Sequence, residues 1–373
     1  MPTPIVDSHI HLFPESHLPT LAWYSSENPG PLGSQHSIDQ YREATRPVST
    51  SAQSQQPTYL RGFIFVETDR LSSIEEEESG SGPGRTHGWR HALDEVSFLA
   101  RIASGDSPVH GEGHSAGDRG LCLGIVPWAP VPGGPGALAK YMALVRERTG
   151  SDEVWQKVCG VRYLVQDKPS GVMLRSEFVE GLKWLGRQGL TFDLGIDARQ
   201  GGIWQLEEAV QMLRMVYEGV DDDRDKVKVV INHMCKPNLR LSYASSDSIT
   251  DHPAFLQWKS QITAMARFPS TYMKLSGAFS EIPPLSADTE PDMTQLLDRI
   301  QPWTDVVFDA FGPERVMFGS DWPVCNVGGG GNQVTWDRWR HVVEGTLERR
   351  RLDTKQRADI WGQVAVKAYG VRI

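Results

Sequence analysis

The sequence predicts an α/β fold, a distorted (β/α)₈ TIM barrel with long insertions in its βα loops. Eight short runs rich in Val, Ile and Phe occur along the 373 residues, and longer segments with helical spacing separate most of them. Strands that alternate with helices pair in parallel through right-handed crossovers. A count of eight strands favours closure into a barrel over an open doubly wound sheet.

Each predicted strand is a short apolar run in which β-branched and aromatic residues predominate. The eight runs are Ile5 to His11, Gly62 to Glu67, Cys122 to Trp128, Val158 to Leu164, Leu190 to Ile196, Val227 to His233, Tyr272 to Ser276 and Val316 to Ser320.

The predicted helices repeat apolar residues every three to four positions. In the segment that begins at Arg175, for example, Phe178, Leu182 and Leu185 share one face, and a glycine follows the end. The predicted helices are Trp89 to Ala103, Pro135 to Arg148, Arg175 to Arg187, Trp204 to Tyr217, Ala254 to Arg267, Asp292 to Phe311, Trp336 to Arg349 and Thr354 to Tyr369.

We expect one domain over residues 1–373, because no linker separates a second one. Irregular insertions are predicted near 13–57, which is dense in Pro, Ser and Gln, and within 69–120, where Gly, Ser and acidic residues collect. In a barrel the first insertion would lie at the C-terminal face, as a lid or wall of the pocket.

Composition narrows the possible partners and compartments. The formal net charge is −9, so no basic excess exists to bind nucleic acid or an anionic membrane. The four cysteines form no C-x-x-C pair and suggest buried thiols, and neither a leader segment nor a membrane-spanning run is evident. We therefore expect a cytoplasmic protein that acts on a small molecule; a homodimer is an open alternative, because exposed barrel helices can pair.

Polar residues at the strand ends carry the strongest functional signal. His9 and His11 end the first strand two positions apart, so both point to one face, with Asp7 one step deeper. His233 ends the sixth strand and Asp321 the eighth. Because barrel active sites gather at the C-terminal strand ends, His9, His11, His233 and Asp321 are the candidate ligands of one divalent metal ion, with zinc favoured.

Other strand-end residues are candidates for substrate binding. Glu67 could be a metal ligand or an acceptor that orients an imidazole, while Arg162 and Lys274 could hold substrate oxygens or form salt bridges inside the barrel. Among the aromatic residues, Tyr24 in the first insertion and Trp322 beside Asp321 are candidates for a ring-stacking wall.

These motifs resemble the amidohydrolase superfamily, in the amidohydrolase 2 branch that contains sugar-lactone and pyrone-dicarboxylate lactonases. The matching segments occur in order along nearly the whole chain, and the length and the tract after Glu67 resemble fungal members. The segments are DSHIH (7–11), VE (66–67), GVRY (160–163), FDL (192–194), INHMCKP (231–237), KLSG (274–277) and FGPERVMFGSDWPV (311–324).

The resemblance implies a distorted barrel with His9, His11 and Asp321 around the catalytic centre and His233 beside it. Some members of this lactonase subgroup bind one zinc-like ion and others work without metal, so both versions stay open. Decarboxylases of the wider family use a histidine at the end of strand five as a ligand, whereas this chain has Asp193 and Asp197 there.

The hypothesis is therefore hydrolysis of a lactone. Asp321 would accept the proton of an attacking water, and the histidines, directly or through a metal, would polarise the carbonyl group. Two alternatives are a non-oxidative decarboxylase of an aromatic or enoic acid, against which the missing histidine weighs, and a barrel that binds a metabolite without turnover.

Overall fold

Eight parallel strands form the centre of the computed structural model, which describes residues 2–46, 57–80, 86–109, 111–241 and 248–373. Each lies within or overlaps its predicted run, and together they confirm the predicted α/β barrel. The strands are β1 Thr3–Ile10, β2 Thr58–Val66, β3 Cys122–Val126, β4 Gly160–Arg162, β5 Thr191–Leu194, β6 Val229–Ile231, β7 Thr271–Leu275 and β8 Val316–Phe318.

The barrel ladder is interrupted at two seams. Strands β1, β2 and β3 form one parallel sheet, and β4 to β8 form a second in sequence order. Isolated parallel bridges, Ile125 with Val158 and Trp128 with Arg162, span the seam between β3 and β4, while Ile10 with Trp322 spans the seam between β1 and β8. The barrel is therefore distorted, as predicted, and its last seam lies where two of the predicted site segments meet.

Helices surround the sheet and bury their apolar faces against it, as Phe178, Leu182 and Leu185 do. In the described part of the chain the α-helices are Ile38–Ala44, Arg90–Ser104, Gly134–Thr149, Asp152–Trp155, Ser176–Arg187, Trp204–Tyr217, Pro253–Ala266, Ala278–Glu281, Met293–Phe311, Asn326–Gly329, Thr335–Arg349, Thr354–Ala358 and Val364–Tyr369. None of these helices is long and apolar enough to cross a membrane.

Alternate strand residues divide the core into two clusters. One set, which includes Ile5 and Phe63, packs with the surrounding helices. The other set, which includes Val6 and Ile64, packs with the C-terminal helix through Ala365 and its neighbours. The predicted helix from Thr354 to Tyr369 is interrupted by a π-helical turn at Asp359–Gln363, after which the chain reaches this second cluster.

Short regular elements occur within the two predicted insertions. Within the first, a 3₁₀ helix covers Glu15–Thr20, and helix Ile38–Ala44 begins at a capping box between Ser37 and Gln40. The second contains a short antiparallel pairing of Glu78–Ser79 with Thr86–His87. Residues 47–56, 81–85 and 110 of these insertions lie outside the described part, and the single domain over 1–373 stays a prediction.

Candidate active site

Four predicted site residues converge at the C-terminal end of the strands. The Nε2 atoms of His9, His11 and His233 each lie 3.6 Å from Oδ1 of Asp321. The two Nε2 atoms of His9 and His11 are 3.1 Å apart. Three imidazoles therefore surround one carboxylate oxygen, although His233 and Asp321 are separated from His9 by more than 200 positions along the chain.

Backbone hydrogen bonds across the seam between β1 and β8 set the positions of His9, His11 and Asp321. The Asp321 amide donates to the His9 carbonyl over 2.9 Å, and the His11 amide donates to the Trp322 carbonyl over 2.7 Å. Asp321 itself has φ of 62°, a left-handed conformation that is uncommon outside glycine. The strand thus ends before Asp321, and the turn directs its carboxylate toward the histidines.

His233 opens a turn of unusual backbone conformation directly after β6. Four consecutive residues, His233 to Lys236, have positive φ values between 47° and 60°. Such strained backbone persists where the surrounding structure requires it, and it collects at functional sites. Gly277 packs on the His233 ring, because a Cβ at this position would lie 2.7 Å from ring atoms. The KLSG motif therefore leaves space for the imidazole.

Partners on the far ring nitrogens orient the three histidines. His11 Nδ1 lies 2.8 Å from the Val66 carbonyl oxygen, and His233 Nδ1 lies 2.8 Å from Ser276 Oγ. Lys274 Nζ lies 3.0 Å from His9 Nδ1 and 2.9 Å from Asp193 Oδ1.

The hydrogen positions follow from these partners. A charged Lys274 only donates, so it directs a hydrogen at His9 Nδ1 and leaves the ring hydrogen of a neutral His9 on Nε2. His11, which donates from Nδ1 to the Val66 carbonyl, has a free lone pair on Nε2. The 3.1 Å contact is then a hydrogen bond from His9 to His11.

Burial and neighbouring charges give the cluster a defined charge state. Burial, and then the nearby Lys274, hold the pKa of His9 well below its ordinary value. Burial also lowers the pKa of His233 to about 3. Burial alone would raise the pKa of Asp321, but the electrostatic influence of the neighbouring His233, His11 and Lys236 outweighs it and lowers that pKa. At neutral pH the site therefore holds neutral His9 and His233 beside an ionised carboxylate.

The donor set is suited to one divalent metal ion. One ligand atom each from His9, His233 and Asp321 lies within 4.8 Å of the others, and His11 Nε2 borders the same carboxylate oxygen. Three imidazole nitrogens and one carboxylate form a donor set that zinc accepts. The carbonyl partner of His11 Nδ1 is the kind of contact that metal-bound histidines make. His9 would bind an ion only after the hydrogen on its Nε2 is lost.

Three of these four residues line a cavity of about 400 Å³, and His9 lies behind them. His11, His233 and Asp321 line one side of it. Residues from the strand ends and from the first insertion complete the wall: Phe13, Trp23, Leu32, Thr68, Asp69, Arg162, Leu164, Gln166, Asp167, Gly195, Asn232, Lys236 and Val324. The volume suits a small-molecule ligand.

Arg162 lines this cavity, whereas the predicted substrate contact of Glu67 is corrected by the structure. The Glu67 carboxylate accepts hydrogen bonds from Arg162 Nε at 2.5 Å and from the Asp69 amide at 2.6 Å. Its side chain is 1% exposed, and these hydrogen bonds occupy both of its carboxylate oxygens. Of the two roles considered for Glu67, the geometry fits a supporting one, because its backbone carbonyl lies 3.0 Å from His11 Nδ1.

Lys274 is also placed differently from the prediction. Its side chain is fully buried, and its ammonium group lies between His9 and Asp193. The Asp193 carboxylate in turn accepts a hydrogen bond from Tyr369 of the C-terminal helix. Lys274 therefore orients His9 from beneath and does not line the cavity.

The two predicted aromatic contacts are corrected as well. Trp322 is fully buried, where its ring packs on Tyr41 and its Nε1 donates to Asn332. Tyr24 packs with Leu21 and its neighbours in a small apolar cluster. The adjacent Trp23 lines the cavity instead, and the Thr68 carbonyl accepts its Nε1 hydrogen. Irregular backbone decides which neighbour faces inward, so no periodicity could distinguish them.

Asp7 also differs from the expectation that it lies beneath the histidines. The pairing of β1 with β2 shifts register between Asp7 and Ile10. The Asp7 carboxylate accepts hydrogen bonds from Tyr41, Trp336 and the Ser320 amide, so it binds the helices beside the seam. A register shift exchanges the faces of a strand, and alternation alone does not reveal it.

Sequence reasoning missed several cavity residues, among them Asp69, Gln166, Asn232 and Lys236. Each follows a strand by a few positions, which is the signal that could have found them. Burial and then Glu67 raise the pKa of Asp69 to about 6.

Comparison with known proteins finds one matching family model and several similar sequences. A family model described as Amidohydrolase matches residues 124–371. An L-rhamnono-gamma-lactonase of Scheffersomyces stipitis is 32% identical over 368 residues, which are 98% of each protein. An L-fucono-1,5-lactonase of Burkholderia multivorans is 28% identical over 218 residues, 58% of this chain and 64% of that protein.

A solved structure supports the fold. The crystal structure of an amidohydrolase from Burkholderia multivorans with bound zinc superposes with a TM-score of 0.65 and 23% sequence identity, and the match covers 99% of each chain.

Proposed function

The chain belongs to the amidohydrolase family, and from this we propose that it is a lactonase that opens a sugar lactone by hydrolysis. The full-length similarity to a protein named L-rhamnono-gamma-lactonase makes L-rhamnono-γ-lactone the first substrate to test. The observation that carries the proposal is the single Asp321 oxygen at 3.6 Å from three imidazole nitrogens, at the wall of a cavity of small-molecule size.

In the first step Asp321 acts as the general base. Its pKa is lowered and it is therefore ionised, so it can take a proton from a water molecule whose oxygen bonds to the lactone carbonyl carbon. The carbonyl π electrons move to oxygen and form a tetrahedral oxyanion. Two groups are placed to stabilise that charge. One is Arg162, which lines the cavity, and the other is the hydrogen that His233 carries on Nε2 when Ser276 donates to its Nδ1.

In the second step the oxyanion collapses and the bond between the carbonyl carbon and the ring oxygen breaks. The leaving alkoxide takes the proton that Asp321 holds, which restores the carboxylate. The product is the open-chain hydroxy acid, which ionises in neutral solution. One water molecule is consumed, and no other co-reactant is needed.

A divalent metal ion would be held by His233, Asp321 and His9, the last once its Nε2 is free, with His11 as a fourth ligand. When bound, such an ion supplies Lewis acidity at the carbonyl oxygen and lowers the pKa of a coordinated water. Elemental analysis of protein purified without chelator tests this part directly. One zinc per chain in the wild type and a loss of zinc in His233→Ala would support it, while zinc-free protein with full activity would show the metal-free version.

The test of the function is hydrolysis of a panel of aldonolactones and aromatic lactones by the wild type and by Asp321→Asn. We expect acid release from the sugar lactones, and a loss of about 10³-fold in kcat in the variant. A variant that keeps most of the wild-type kcat would remove Asp321 from the base role.

The two alternatives predict other results. A decarboxylase would release carbon dioxide from a dihydroxybenzoate. However, Asp193, at the strand end where decarboxylases of the wider family have a ligand histidine, is bound to Lys274 and Tyr369. A barrel that only binds a metabolite would be stabilised by a sugar lactone without forming product.

The compartment of the protein is proposed from its cysteines. Cys122, Cys159, Cys235 and Cys325 are all buried free thiols, which supports a reducing compartment, most simply the cytoplasm. A homodimer is the assembly we propose to test. Cell fractionation and light scattering of the purified protein test these two points.

A further inference from the structure

The side chain of Asn232 stands out in the cavity wall. It is 1% exposed, and within the described part of the chain neither its amide oxygen nor its amide nitrogen has a hydrogen-bond partner. Buried amides are almost always paired, because loss of hydration without a replacement bond is unfavourable. An amide with both ends unpaired that also lines a ligand cavity is therefore a candidate for binding a ligand.

The backbone of Asn232 is held firmly, so only the side chain is available. Its amide donates to the Leu194 carbonyl at the end of β5, and its carbonyl accepts from the Cys235 amide. The next residue is His233, and both residues line the same cavity.

Gly195 helps to keep space near this amide. A Cβ at Gly195 would lie 3.8 Å from Asn232 Nδ2 and 2.8 Å from a methyl carbon of Leu164. A larger residue at 195 would therefore crowd the cavity wall beside the amide. Gly195 lines the same cavity.

The chemistry of the amide indicates what it binds. A primary amide offers a donor and an acceptor without charge, and a hydroxyl group can accept from the one and donate to the other. A carboxylate only accepts, so it would leave the amide oxygen unpaired. Of the two cationic side chains of the wall, Arg162 is assigned to the oxyanion, and Lys236 Nζ already lies 2.9 Å from Gln166 Oε1.

We propose that Asn232 is a specificity-determining residue that hydrogen-bonds a ring or side-chain hydroxyl of a polyhydroxylated lactone. This inference rests on the proposed lactonase function and adds a residue that selects among its substrates by their hydroxyl groups. Sites that pair buried polar groups with a substrate hydroxyl reject analogues without that hydroxyl strongly, because the protein groups are then left unpaired.

The experiment compares Asn232→Leu with the wild type on L-rhamnono-γ-lactone and on its monodeoxy derivatives. Leucine has a similar size and no hydrogen-bonding group. We expect kcat/KM for the parent lactone to fall about 100-fold. One deoxy lactone lacks the hydroxyl that Asn232 binds, so the wild type should already hydrolyse it poorly. On that lactone the variant should be no slower than the wild type. Asn238→Leu, the same change beside a separate cavity, is the control and should change kcat/KM less than threefold.

A second readout separates substrate binding from a structural role. Because Asn232 has no partner to lose, Asn232→Leu should keep or raise the Tm. An equal loss on the parent and on every deoxy lactone, or a Tm lowered by several degrees, would overturn the inference while the lactonase function stands. A wild-type protein that hydrolyses no lactone would instead overturn the proposed function, and this inference with it.

Discussion

Two buried polar clusters lie close to the barrel mouth, and only one of them has the properties of an active site. The first, the site cluster, is formed by His9, His11, His233 and Asp321. The second, the Glu95 cluster, is formed by Glu95 with Thr68, whose amide nitrogen lies 3.2 Å from Glu95 Oε1, and by the nearby Arg70.

The Glu95 cluster has the more strongly perturbed carboxyl group. Burial, and then the nearby Glu67, raise the pKa of Glu95 to about 8, so this carboxyl is largely protonated at neutral pH. Perturbed groups often mark functional sites, yet Glu95 does not line the cavity as the described residues define it. Asp321 does line it and stays ionised. Access to a cavity, together with the charge state that the chemistry needs, identifies the site better than the size of a pKa shift.

The largest expected effect contrasts the two carboxyl groups directly. Asp321→Asn and Glu95→Gln make the same chemical change, from acid to amide. We expect a loss of about 10³-fold in kcat for Asp321→Asn, because the base is removed, and less than threefold for Glu95→Gln. Steady-state kinetics on the same lactone measure both values, and a Glu95 variant as slow as the Asp321 variant would contradict the comparison.

A smaller loss should follow when the His233 ring is displaced. Gly277→Ala introduces a Cβ at 2.7 Å from the ring in a residue with φ of 68°. We expect kcat/KM to fall about 100-fold, because small displacements of catalytic groups are costly. Gly150→Ala is the matched control, since Gly150 has φ of 67° with open space around it. It should share the backbone strain and the modest loss of stability without the loss of activity.

The ion pair beneath the site cluster can be tested through stability. Lys274→Met leaves the fully buried Asp193 without its cation, and we expect a loss of about 3–5 kcal/mol in the free energy of unfolding. The double variant Lys274→Met with Asp193→Asn should recover most of this loss, because no buried charge then remains unpaired. Urea unfolding measures all three proteins. A single variant as stable as the wild type would show that the pair is unimportant for folding.

The last prediction concerns the pH dependence of stability. Because the folded pKa of Glu95 is about 8 and the ordinary value is 4.5, the folded state keeps a proton that the unfolded chain releases. This contribution to stability is complete below about pH 4.5 and is lost as the pH rises through 8. As the pH rises from 5 to 9, the wild type should therefore lose free energy of unfolding relative to Glu95→Gln, which has no proton to release at this position.

Urea midpoints at these two pH values measure that change. The exposed Glu207 provides a control, since Glu207→Gln should show no difference between them. A wild-type protein whose stability relative to Glu95→Gln is the same at both pH values would mean that Glu95 is ionised in the folded state.

The order of the apolar runs, and of the polar residues that end them, was enough to predict the fold and the centre of the site. Eight apolar runs that alternate with helical segments favour a barrel over an open sheet, and strand ends such as His233 and Asp321 then meet at one rim of it. The convergence of His9, His11, His233 and Asp321 follows from that topology, because the carboxyl ends of parallel strands share one edge.

Only the tertiary structure decided which side chains face the cavity and which form ion pairs or hydrogen bonds with other residues. Lys274 and Glu67 look like substrate contacts in the sequence, but their partners, Asp193 and Arg162, lie tens of positions away. The position of Asn232 after β6 could have placed it in the cavity wall, but that its amide is unpaired is recognised only when all its neighbours are known. The period of a strand determines the side to which a residue points, and the packing of distant segments determines what it meets there.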